Sequence, residues 1–115
     1  MQLVRDPTVV AVARRHAVDV CRGTLDDDQC DSLALAVSEL VTNAIRYGRD
    51  PITLTVEPTA GTVRVEVTDG DPTPLFVGLP EDLATGRRGL LLVAGVSRSW
   101  GWHPTSGGKS VWCEI

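Results

Sequence analysis

The chain of 115 residues lacks any hydrophobic run long enough to span a membrane, and its first residues lack the apolar segment of a secretion signal. It has no block of lysine and arginine, and its formal net charge of −4 disfavours nucleic acid as a partner. It also lacks the Gly-x-x-x-x-Gly-Lys-Ser/Thr sequence, which excludes a P-loop enzyme. The composition therefore predicts a protein that contacts neither membrane nor nucleic acid directly.

Cysteine and histidine are also scarce: there are three cysteines and two histidines. No CxxC pair is present, and Cys21, Cys30 and Cys113 are widely spaced and odd in number. A disulfide framework or a zinc site is therefore not expected. The cysteine usage instead predicts a reducing, cytoplasmic location. We expect each cysteine to act as a small buried hydrophobic residue.

Hydrophobic periodicity predicts two helices, from about residue 9 to 22 and from about Asp27 to Tyr47. In the second helix Glu39 and Asn43 lie four residues apart, on the side away from the apolar stripe. That side either faces water or carries a general base and a metal-binding oxygen into a site, and the helix alone does not decide between them. The apolar stripe follows the three-four spacing of one helical face and consists of Leu33, Val37, Leu40, Val41, Ala44 and Ile45.

The period then changes to two, because the runs 52–57 and 63–68 alternate apolar and polar residues. This pattern predicts an antiparallel hairpin. Asp69 continues the apolar phase of the second run, so a persisting strand would place a costly carboxylate on the core side. Gly70, next to it, would let another group approach the backbone closely. The alternative is that the strand has ended and Asp69 opens an Asx-type turn; the local pattern leaves both open.

The segment 71–88 contains several prolines and glycines and is longer than most connections in a compact domain, which is typical of a functional lid. The run Gly86-Arg87-Arg88-Gly89 then leads into an apolar helix. Free N–H groups, the positive end of the helix dipole and two guanidinium groups form a natural anion site. Two solvated arginines at a hinge are the simpler alternative.

The runs 97–102 and 109–115 predict a closing hairpin. The order of elements is thus helix, helix, hairpin, lid, helix, hairpin. This order predicts an α+β fold, a two-layer sandwich with helices packed on one face of a mixed or antiparallel β-sheet. No repeat or linker is visible, so residues 1–115 are predicted to form a single domain with a lid at about 71–88.

Together the polar features contain what a nucleoside triphosphate site requires. A buried carboxylate at Asp69 can accept the exocyclic amine of adenine, and hydrogen bonds to charged groups are strong. The Asn43 amide oxygen suits Mg²⁺, and a basic glycine-rich turn suits the phosphates. Phosphoryl transfer also needs a base near the acceptor hydroxyl, and Glu39 lies one helical turn from Asn43.

The chain resembles the Bergerat-type (GHKL) ATP-binding fold that gyrase, the ninety-kilodalton heat-shock chaperones, mismatch-repair ATPases and histidine kinases share. It is most similar to the bacterial anti-sigma factor serine/threonine kinases in their single-domain actinomycete form. The resemblance implies the histidine-kinase-like ATPase fold and covers nearly the whole chain. The matching segments are Ser38–Ala44 (the N-box), Val67–Gly70 and Gly86–Val93 (the two glycine boxes), and Trp100–Trp102 with Gly107–Trp112 (the closing hairpin).

The resemblance also implies roles for single residues. It implies that Glu39 is the catalytic base and that Asn43 binds Mg²⁺ and phosphate oxygens. Asp69 would receive the adenine amine with Gly70 allowing its close approach, and Ser110 would reach the adenine edge directly or through water. The residues implied to cover the phosphates are Gly86, Arg87, Arg88, Gly89 and Leu90.

The function that the resemblance implies is that of an ATP- and Mg²⁺-dependent protein kinase. Such a kinase phosphorylates a serine or threonine of a STAS-type anti-anti-sigma protein and sequesters a sigma factor, which regulates transcription; many members form homodimers. The alternative is a nucleotide-gated protein-binding module, an anti-sigma-like switch without significant kinase activity. A detached histidine-kinase ATPase domain is disfavoured because no phosphoacceptor helix precedes the motifs. A purely structural domain would require Asp69 to face water.

Overall fold

The computed structural model describes residues 1–73 and 88–115, which form a two-layer α+β sandwich. In this part of the chain the five strands make one antiparallel sheet in the order β1-β2-β3-β5-β4. The predicted fold class is therefore confirmed, with an antiparallel rather than a mixed sheet. The elements are β1 (Gln2–Leu3), α1 (Val9–Cys21), α2 (Asp27–Tyr47), β2 (Ile52–Thr59), β3 (Thr62–Asp69), α3 (Arg88–Val96), β4 (Ser99–Pro104) and β5 (Lys109–Glu114).

The central element of the helical layer is α2, which packs against both α1 and α3 and lies over β2 and β3. It begins with a capping box: Gln29 N donates to Asp26 Oδ1 at 2.8 Å, and Asp26 N donates to Gln29 Oε1 at 3.0 Å. Reciprocal bonds of this kind satisfy two of the free N–H groups at a helix start. The predicted apolar stripe is buried except for Ile45, which is half-buried. No helix among the described residues is both long and apolar enough to cross a bilayer.

The strand β3 keeps its alternation to its last residue. Its inner residues Val63, Val65, Val67 and Asp69 are all buried, whereas the residues between them are only half-buried. In the pairing of β3 with β5, Val67 lies opposite Val111 and Asp69 lies opposite Lys109. The structure combines the two alternatives for Asp69. The strand persists to Asp69 and places the carboxylate on the core side, and Asp69 Oδ1 also accepts from the backbone N–H of Asp71, as in an Asx-type turn.

The structure corrects the expectation for two of the cysteines, because Cys21 and Cys30 are joined in a disulfide. The connection between α1 and α2 turns back tightly, so the end of one helix lies beside the start of the next and the two Cα atoms are 6.4 Å apart. Sequence spacing could not show this proximity. Cys113 is a buried free thiol, as predicted, and burial raises its pKa to about 11.

Reduction of the disulfide between Cys21 and Cys30 is expected to lower the melting temperature by about 10 °C. The two cysteines are 9 residues apart, and closing a loop of this length stabilises a fold by about 2–3 kcal/mol. Thermal melts with and without reductant measure the shift. The double serine variant C21S/C30S should have the lower melting temperature under both conditions. Thiol titration in denaturant should count one reactive thiol before reduction and three after. Three thiols without reductant would contradict the disulfide.

Candidate functional site

A cavity lies between α2, the inner face of β3 and β5, and the first turn of α3. The centre of a water-sized sphere can occupy about 30 Å³ of it, and its whole empty space, part of it open to solvent, is about 410 Å³. Its walls are mostly apolar, with a few polar groups between them, which is typical of small-molecule sites. The apolar lining consists of Leu40, Ala44, Val67, Leu90 and Val111, and the remaining lining residues are Asn43, Tyr47, Gly48, Asp69 and Lys109.

The Asp69 carboxylate is the polar centre of this cavity. Its Oδ1 accepts from the backbone N–H of Asp71 at 2.7 Å and from Lys109 Nζ at 3.2 Å. Its Oδ2 lies beside Gly48 and has no hydrogen-bond partner among the described residues. One oxygen is thus held by the protein, and the described part of the chain leaves the other able to accept a hydrogen bond from a ligand.

Asp71 carries a second carboxylate close to this centre, although it is less buried than Asp69. The backbone N–H of Thr73 donates to Asp71 Oδ1 at 2.9 Å, and this bond holds the pKa of Asp71 below its usual range. The positive charges of Lys109 and Arg49 contribute to the same lowering to a smaller extent. Asp71 is therefore close enough to Lys109 and Arg49 for their charges to act on it, although Asp71 and Arg49 are not part of the cavity lining.

Two glycines allow the chain to close tightly around Asp69. A Cβ atom at Gly48 would lie 2.7 Å from Asp69 Cγ and 2.7 Å from the carbonyl oxygen of Ala44. A Cβ atom at Gly70 would overlap the carbonyl oxygen of Asp50, and the N–H of Gly70 donates to Arg49 O at 2.7 Å. The close approach predicted at Gly70 therefore occurs, but the approaching group is this backbone rather than a ligand.

Asn43 enters the cavity from α2. Its amide nitrogen, Nδ2, is buried and has no hydrogen-bond partner among the described residues. A buried polar group without a partner costs roughly 1–3 kcal/mol, so such a group usually indicates a missing ligand or water. The structure brings Asn43 and Asp69 into the same cavity, as the sequence hypothesis requires.

Glu39 lies one helical turn before Asn43 and is not part of the cavity lining. Its carboxylate packs against Gly89 in the first turn of α3, where a Cβ atom would collide with Glu39 Oε2. A carboxylate beside a helix N-terminus is stabilised by the helix dipole. Glu39 therefore lies at the rim of the cavity, next to the buried residues Gly89 and Leu90.

Ser110 is not brought into the cavity. Because residues alternate along β5, it lies on the outer face of the sheet, opposite Thr68. Its hydroxyl donates to Glu66 Oε1 and lies 3.1 Å from Thr68 Oγ1. The hydroxyl is thus engaged on the face away from Asp69.

The inner neighbour of Ser110 on β5 is Lys109, which sequence reasoning missed. Lys109 continues the phase of Val111 and Cys113, in the same way that Asp69 continues the phase of its own strand. That alternation was the available signal. Of the predicted phosphate-covering residues, Gly86 and Arg87 lie outside the described residues, as does most of the predicted lid (74–87).

Fold and cavity together define an α+β domain with a cleft between its helical layer and its sheet. A structural comparison finds the histidine kinase domain from the Erythrobacter litoralis EL346 blue-light activated histidine kinase, with a TM-score of 0.56 and 19% sequence identity. The match covers 93% of this chain and 60% of that one, so the chain spans less than two thirds of that structure. At this identity the likeness concerns the fold.

The family follows from the sequence itself. Residues 3–115 match the model of the histidine kinase-like ATPase domain, and the chain belongs to this family. Membership makes it an ATP-binding, kinase-like domain of the GHKL type. A search of curated proteins finds no match.

Proposed function

We propose that the protein is an ATP-dependent serine/threonine kinase of the anti-sigma type. Its substrate is a hydroxyl of a STAS-type anti-anti-sigma protein, and its regulatory target is a sigma factor that it sequesters. The proposal combines family membership with the N-box around Glu39 and Asn43, which resembles that of the anti-sigma kinases. Phosphorylation of the antagonist and capture of the sigma factor would together control transcription; homodimer formation and a cytoplasmic location are part of the same proposal.

The observation that carries the proposal is the pair of unfilled polar groups in one cavity. Within residues 1–73 and 88–115, the buried Nδ2 of Asn43 has no hydrogen-bond partner, and Asp69 is bonded through Oδ1 but not through Oδ2. An adenine amine fits the acceptor at Asp69, phosphate oxygens fit the Nδ2 donor of Asn43, and Mg²⁺ fits its amide oxygen. ATP would supply the phosphoryl group, and Mg²⁺ would neutralise charge on its phosphates.

Glu39 is the group on this chain that would move a proton. The acceptor hydroxyl forms a bond to the γ-phosphorus, ADP leaves, and the hydroxyl proton passes to a carboxylate oxygen of Glu39. The position of Glu39 at the rim, beside the first turn of α3, suits an acceptor that arrives on a second protein. A base deep in the cavity would not meet such an acceptor.

The second candidate is a nucleotide-gated binding module without kinase activity. It is favoured by one observation: Glu39 does not line the cavity, and its carboxylate packs against Gly89. In this alternative ATP binding changes the affinity for a partner protein, and no phosphoryl group is transferred.

The test uses the protein with radiolabelled Mg-ATP and a panel of STAS-type proteins from the same genome. Label on a serine or threonine of one of them supports the kinase. ATP binding without label on any STAS protein, together with nucleotide-dependent sigma capture, supports the binding module instead. Absence of ATP binding would contradict both.

A further inference from the structure

Lys109 is a buried cation inside the candidate site. Its side chain is 8% exposed, and Nζ donates to Asp69 Oδ1 at 3.2 Å and to the carbonyl oxygen of Asp71 at 3.3 Å. Buried lysines are rare and are paired when they occur. The neighbouring inner positions on both strands are the valines Val67 and Val111, so the ion pair adjoins apolar residues.

We propose that Lys109 is a positioning residue that makes the site select 6-amino purines over 6-oxo purines. Its ammonium group occupies Asp69 Oδ1 and keeps the carboxyl in the form that can only accept hydrogen bonds. The free Oδ2 then accepts from the 6-amino group of adenine and repels the carbonyl oxygen of a 6-oxo purine. This inference rests on the proposed nucleotide function and assigns its base specificity to a residue that acts through Asp69.

The surroundings of the Asp69 carboxylate explain why Lys109 is the residue that determines its hydrogen bonding. Asp69 contacts Lys109 from β5, the backbone N–H of Asp71 just beyond β3, and Gly48 from the end of α2, and Tyr47 lines the same cavity. Arg49 is exposed and Asp71 is half-buried. Among the described residues, Lys109 is thus the one cation in direct contact with Asp69.

Removing the ammonium group leaves a buried carboxylate without compensation, which favours the protonated acid. The acid carries an O–H group and can donate to the carbonyl oxygen of a 6-oxo purine. Loss of Lys109 should therefore weaken ATP binding and strengthen binding of the inosine nucleotide. Both effects should grow as the pH falls, because a lower pH populates the acid.

The experiment measures the affinities of Mg-ATP and Mg-ITP by calorimetry at pH 6 and pH 8. The proteins are the wild type, Lys109→Met, Lys109→Gln and the conservative control Lys109→Arg. The wild type and the arginine variant should bind ATP at least about tenfold more tightly than ITP at both pH values. This ratio corresponds to the loss of one hydrogen bond to a charged group. In the methionine variant the ratio of ATP affinity to ITP affinity should fall about tenfold at pH 6, and it should be closer to the wild-type ratio at pH 8.

The glutamine variant retains a donor to Asp69 without the charge, and it serves if the methionine variant does not fold. Its preference for ATP should also narrow at pH 6. An unchanged preference at both pH values in a folded methionine or glutamine variant would overturn the role of Lys109 and leave the nucleotide site intact. A wild type that binds neither nucleotide would overturn the proposed function as well, so the two failures are distinguishable.

Discussion

Asp69→Asn is expected to weaken ATP binding by about 10- to 150-fold and to destabilise the fold. The carboxylate is the group that would accept the adenine amine, and a hydrogen bond to a charged group contributes roughly 1.5–3 kcal/mol. The same change leaves Lys109 buried without its counter-charge, and breaking a buried ion pair in this way costs about 3–5 kcal/mol. Calorimetry with Mg-ATP measures the first effect, and unfolding in guanidinium chloride measures the second.

The two effects are separable in the double variant D69N/K109M. Removing the orphaned ammonium group should restore most of the lost stability, because the remaining groups are uncharged. ATP binding should stay weak, because the amide oxygen of asparagine would remain on the backbone N–H of Asp71 and its NH₂ group, a donor, would face the adenine amine. A double variant that regains both stability and ATP affinity would show that Asp69 acts through the fold and does not contact the nucleotide.

Glu66→Gln is the matched control for Asp69→Asn. Both residues are carboxylates on β3, but Glu66 lies on the outer face of the sheet, where it contacts Arg64 and Ser110. Its replacement should leave ATP affinity unchanged. Equal losses of affinity in the two variants would indicate a general effect on the sheet.

Glu39→Gln is expected to slow phosphoryl transfer to the protein acceptor by ~10²–10⁴-fold, the range for loss of a positioned general base. ATP affinity should change far less, because Glu39 lies outside the cavity lining. Glutamine keeps the size of the side chain that packs against Gly89, so the first turn of α3 should be undisturbed. Single-turnover transfer at saturating ATP measures the rate.

The control for this variant is Asp28→Asn, an exposed carboxylate near the start of α2. It should transfer at the wild-type rate. An unchanged transfer rate in Glu39→Gln would remove Glu39 from the mechanism. Transfer too slow to detect in every variant and in the wild type would favour the nucleotide-gated binding module.

The helical layer could be predicted closely because its signals are local. The bounds Asp27–Tyr47 follow from a capping sequence at one end, a glycine at the other and a three-four apolar stripe between them. The inward position of Asp69 likewise follows from the period of a single strand. In both cases the residues that decide the structure are neighbours in sequence.

The parts that were missed depend on contacts between distant segments. The disulfide between Cys21 and Cys30 depends on how the turn between two helices folds back, which spacing does not encode. The ion pair of Lys109 with Asp69 depends on the register of β5 against β3. The same register turns Ser110 to the outer face of the sheet, away from the cavity. The resemblance of motifs had implied instead that Ser110 reaches the adenine edge.

The central claim is that the cavity between α2 and the sheet receives an adenine nucleotide. The most direct test is a titration of the uniformly ¹⁵N-labelled protein with Mg-ADP, followed by backbone amide shifts. We predict that the largest shifts fall on amides around the cavity, at Asn43, Gly48, Asp69 and Lys109, while the exposed face of α1 stays unchanged. Saturable shifts confined to α1 or to the outer face of the sheet, or no shifts at all, would contradict the account.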